Sequence, residues 1–84
     1  AAAEHLARIV RSERDRVFES SLADAKKVDG LLILNALAEA AAKADARLLG
    51  GLLCGYGYFV RAAGWKSENI SDMFSAFEKF KEQL

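Results

Sequence analysis

The sequence predicts an all-α domain, and three observations carry that prediction. The 84-residue chain contains no proline, so only glycine and capping chemistry can stop a helix. It is rich in Ala, Leu, Glu, Lys and Arg, which are good helix formers. No run alternates apolar and polar residues for long enough to make a sheet strand. The expected architecture is a three-helix small domain with a long central helix, about residues 31–63, that assembles into a helical bundle dimer.

The bulk properties narrow the field further. The chain is a single domain, residues 1–84. One this short buries only roughly 60–65% of its unfolded surface, which leaves a lone monomer marginal. Apolar residues make up 52%, enough for a core. Lys plus Arg equals Asp plus Glu at 12 each, so no net field steers the chain to nucleic acid or an anionic membrane. Near-zero net charge also does little to keep copies apart. The single thiol, Cys54, excludes an internal disulfide and favours a reducing compartment. No signal-peptide pattern opens the sequence. Asn35, Glu39, Lys43, Asp45, Arg47 and Arg61 interrupt its longest apolar segment too often for a membrane span. The expectation is a cytoplasmic protein with no membrane contact.

The first helical region covers residues 3–28. Leu6, Val10 and Val17 fall on one stripe, with Glu13 where a core residue is expected. Phe18, Leu22, Ala25 and Val28 fall on a stripe rotated away from it. One bent helix is the favoured form, and two helices with a joint near residues 19–21 is the rival. Ser21 followed by Asp24 resembles a capping box. Asp29-Gly30 reads as the turn, with Gly30 ending the first helix and Asp29 capping the second.

The central segment holds an apolar stripe of Leu34, Leu37, Ala41, Leu48, Leu52, Tyr56, Phe59 and Ala63. Its phase runs through the glycines, which predicts one continuous helix. Rival breaks lie near residues 43–45, where Asp45 is a good cap, and at Gly50-Gly51. Gly64 is a natural stop. Asn69 with Asp72 reads as a capping box, and Ile70, Met73, Phe74, Phe77 and Phe80 recur every three or four residues, predicting helix over 67–83.

No catalytic or cofactor signature appears. Metal and di-iron sites need several His and carboxylates at helical spacing, and the chain has one histidine, His5, near its start. Cys54 lies far in sequence from that histidine, so a packed, inert thiol is expected. The glycines do not form a phosphate loop. The reading is therefore no enzyme, no cofactor, no metal and no small-molecule substrate.

What remains is association. Gly50, Cys54, Gly57 and Arg61 share the side of the central helix away from its apolar stripe. A strip without bulk permits close approach of another backbone, and glycine's helical cost of about 0.8–1 kcal/mol per residue asks for such a gain. Tyr58 flanks the strip and Trp65 follows the helix stop, where both can anchor an interface. The expected partner-binding residues are Gly50, Cys54, Gly57, Tyr58, Arg61 and Trp65. The expected partner is a second copy, another protein, or both. The leading function is a non-enzymatic interaction module: an adaptor, small chaperone or regulatory inhibitor. The alternative is a small DNA-binding regulator using Arg8, Arg11, Arg14 and Arg16, with Leu6, Val10 and Val17 at helix-turn-helix offsets. Glu13, Asp15 and Glu19 interleave with those arginines and cancel much of their field.

Overall fold

The computed structural model describes all 84 residues and is all-helical. Its four helices are α1 (Ala2–Glu19), α2 (Asp24–Ala42), α3 (Ala46–Ala63) and α4 (Ile70–Glu82). They form a bundle of 38 × 19 × 19 Å. α1 packs on α2 and α4, and α3 packs on the same two neighbours, so α1 and α3 face each other across the core.

Four helices replace the expected three because the chain breaks at residues 20–23 and 43–45 and not at Asp29-Gly30, so the long central helix is divided. Ala44 takes a left-handed conformation (φ 53) that ends α2. The Ala44 and Asp45 N–H groups then turn back to the Ala41 and Ala40 carbonyls. Asp45 caps α3, its side chain accepting from the Leu48 N–H at 3.0 Å. The break shifts the phase of the apolar stripe. In α3 the buried residues are Leu49, Leu53 and Tyr56, while Leu48 is 48% exposed. Folding the two halves together also lets a single chain cover Leu34, Leu37, Ala41 and Tyr56. The central apolar face therefore does not need a second chain to cover it.

The first helical region is likewise two helices. Ser20 is extended (ψ 171), and its hydroxyl donates to the Val17 carbonyl at 2.6 Å and accepts from the Leu22 N–H at 3.3 Å. That local bonding competes with helix continuation. Neither expected capping box forms: α2 starts on Ala23 without a side-chain cap, and at α4 Asn69 holds the N-cap position while the Ser67 hydroxyl accepts from the Ile70 N–H at 3.1 Å. Asp29-Gly30 lies inside α2 rather than at a turn. Gly30 is needed for packing: a Cβ there would sit 2.8 Å from the Phe59 ring of α3. Gly64 does end α3, in the left-handed region (φ 66), with the Trp65 N–H returning to the Val60 carbonyl at 3.0 Å. No helix is long and apolar enough to cross a membrane.

The core joins Leu6, Val10 and Val17 of α1 to Leu34 and Leu37 of α2, Leu49 and Leu53 of α3, and Met73, Phe77 and Phe80 of α4. Each large side chain removed from water in this way contributes about 1.5–3 kcal/mol before the entropy of ordering is subtracted.

Candidate functional site

Glu13 ties α3 and the turn that follows it to α1 across the core. It lies on the buried stripe of α1 between Val10 and Val17 and is 0% exposed. A carboxylate so placed needs donors. Three converge on it from the far side of the bundle. The Tyr56 hydroxyl and the Trp65 indole N–H (2.8 Å) donate to Oε2, and the Asn69 amide donates to Oε1 at 3.0 Å. Burial and the neighbouring Glu13 push the Tyr56 hydroxyl far above its ordinary range, so it stays a donor. Around this cluster, Arg16 of α1 pairs with Glu68 at 2.6 Å. Two points on α1 thus hold the turn between α3 and α4.

Once Tyr56 points inward, the rest of α3 follows from helical geometry. Phe59 reaches α2 at Gly30 and stacks on Tyr56 with centroids 5.6 Å apart. Gly50 and Gly57 turn towards α4, where a Cβ on Gly50 would lie 3.3 Å from Phe77 and one on Gly57 would lie 4.0 Å from Ile70 and Phe74. Tyr58, two residues from Tyr56, is rotated about 200° and points out. It is 77% exposed. Gly51 and Gly55 face outward with it and have nothing within 4 Å of where a Cβ would stand. Cys54 and Ala62 are exposed on the same helix.

The strip read from the sequence is therefore divided. Gly50 and Gly57 face α4, closely at Gly50 and with room for a Cβ at Gly57, and Trp65 is half-buried with its N–H committed to Glu13. Cys54, Tyr58 and Arg61 remain on the surface, so the thiol is not packed as expected. The outward set gains Leu48, Gly51, Gly55 and Ala62. Gly51 and Gly55 stand four residues apart, at helical spacing, but the side they face follows only from the break at 43–45.

No charged residue stands between Arg47 and Arg61. The uncharged face ends in two open depressions. One of about 320 Å³ is lined by Tyr58, Arg61 and Ala62. The other, about 420 Å³, is lined by Asp45, Arg47, Leu48, Gly51 and Leu52. A second exposed apolar group, Val28 and Leu32 at 55% and 64%, lies on α2.

The α1 arginines do not form one array. Arg14 donates to Asn35 at 3.0 Å and Arg16 is held by Glu68, while Arg8 and Arg11 are exposed. α1 runs unbroken through Arg11, where a helix-turn-helix would turn. His5 is exposed, and no three His, Cys, Asp or Glu residues cluster as metal ligands. No family model matches the chain, no curated protein matches its sequence and no solved structure matches it.

Proposed function

We propose that the protein is a non-enzymatic helical interaction module, an adaptor, small chaperone or regulatory inhibitor, that works by masking a partner's surface. The partner is another protein or a second copy, and the docking surface is the outer face of α3. The observation that carries this reading is the exposure of Tyr58 (77%) on a face where Gly51 and Gly55 leave the helix backbone bare. An exposed tyrosine supplies large contact area at low entropic cost, and bare backbone lets a partner approach closely. Helix-in-groove recognition uses these elements.

The test is photo-crosslinking in cells from a benzophenone side chain at position 58, with the exposed Ser75 of α4 as the control position. The reading expects discrete protein adducts from position 58 and few from position 75. Equal yields from both would contradict it.

A further inference from the structure

The geometry points to an amphipathic helix of another protein, carrying an acidic residue at each end of its apolar stretch, as the occupant of the α3 face. This rests on that face being the docking surface and names what it takes. Arg47 and Arg61 bracket the uncharged face, about four turns and roughly 21 Å apart, within about 40° of one another around the helix. Both are exposed, and each lines one of the two depressions. Neither is in an ion pair: those formed are Arg16–Glu68 and Lys81–Glu78. Neither guanidinium hydrogen-bonds within the chain, whereas Arg14 does. Unpaired surface cations occur elsewhere on this protein; these two flank a stretch of α3, residues 48–60, that carries no charge. Asp45, beside Arg47, already has a carboxylate oxygen on the Leu48 N–H. The face thus offers an apolar centre and a cationic group at either end, which is complementary to a helix with the opposite pattern.

A second copy fits less well. Arg47 and Arg61 lie equally far from the middle of the face and on one side of it. Antiparallel pairing of α3 with α3 sets Arg47 of each copy beside Arg61 of the other. That brings like charges together, and parallel pairing puts the arginines of the two copies on opposite sides of the seam, where they meet no acidic residue of α3.

The probes are two synthetic helical peptides with the same Leu/Ala face, one with glutamates and one with lysines placed about 21 Å apart. Each is titrated into the ¹⁵N-labelled protein while amide shifts are followed, with light scattering of the protein alone at the same concentration. The Glu-ended peptide should shift residues on α3 between Arg47 and Ala62 and bind about tenfold more tightly than the Lys-ended one, as two rim ion pairs allow. Arg47→Glu/Arg61→Glu should reverse that preference, which a merely unfolded variant cannot do. Equal binding of both peptides at α3 overturns the acidic partner and leaves the docking surface standing. Shifts confined to other helices, or no binding, overturn both. A dimer in light scattering that Gly55→Gln dissolves makes a second copy the occupant and overturns the inference.

Discussion

The Tyr56 hydroxyl donates to the Glu13 carboxylate across the core, joining α3 to α1, two helices that do not otherwise pack on each other. This buried bond holds the Tyr56 side of α3 inward together with the buried Leu49 and Leu53, and those from Trp65 and Asn69 hold the turn that follows. Tyr56→Phe removes one donor from a buried carboxylate and should cost about 1.5–3 kcal/mol. Glu13→Leu strands the Tyr56 hydroxyl and should also destabilise. The double variant should lose less than the sum, because the stranded group is gone. Urea denaturation of the four proteins measures the coupling, and strict additivity would remove Glu13 from its organising role.

The same pair predicts an alkaline limit. Tyr56 has its proton held far above the usual value of 10.0 in the folded state, by burial first and then by Glu13. Above that pH the unfolded chain binds fewer protons than the folded one, so stability should fall as pH rises beyond about 10. In Tyr58→Phe, Tyr56 is the sole tyrosine. Phenolate absorbance should then appear only together with loss of helical circular dichroism. A phenolate signal from the intact fold would contradict this.

Glycines of one sequence context should respond with opposite signs. Gly30→Ala drives a Cβ to 2.8 Å from Phe59 and should cost about 1–3 kcal/mol. Gly55→Ala meets nothing within 4 Å and should gain about 0.5–1 kcal/mol by helix propensity. Thermal melts of the two variants check both the signs and the assignment of inward and outward faces.

The break between α2 and α3 should be tunable. Ala44 holds a left-handed conformation (φ 53) that glycine adopts without strain, so Ala44→Gly should stabilise by up to about 1 kcal/mol. Asp45→Ala loses the α3 cap and should cost about 1 kcal/mol. If neither melt moves, the break is not where the chain stores its preference for four helices.

The helical class, the stop at Gly64 and the α4 stripe were legible because each rests on local pattern. The break at residues 43–45 was visible only as a rival, since the left-handed position holds Ala44 where glycine is the usual signal. Gly30 carried a turn signature with Asp29, yet its use is tertiary: it admits Phe59 from a helix far along the chain. Asn69 stands at the N-cap position of α4, as its local preference predicts, but its side-chain amide donates to Glu13 and makes no cap bond. Glu13 stood out as a charge on an apolar stripe. Its donors come from residues 56, 65 and 69, and no local pattern connects them. For the candidate site, Tyr58 and Arg61 lie at the surface and Cys54 lies there against the expectation of a packed thiol, whereas the glycines could be sorted only once the rotation of α3 was known.

The most direct test of the outer face of α3 is the crosslinking yield from position 58 in a Gly51→Gln/Gly55→Gln background. Both glycines face open space, so the fold should be kept. The adducts should fall at least tenfold while the circular dichroism spectrum and melting temperature hold or rise. An undiminished yield from a folded variant would show that the bare backbone of α3 is not where a partner docks.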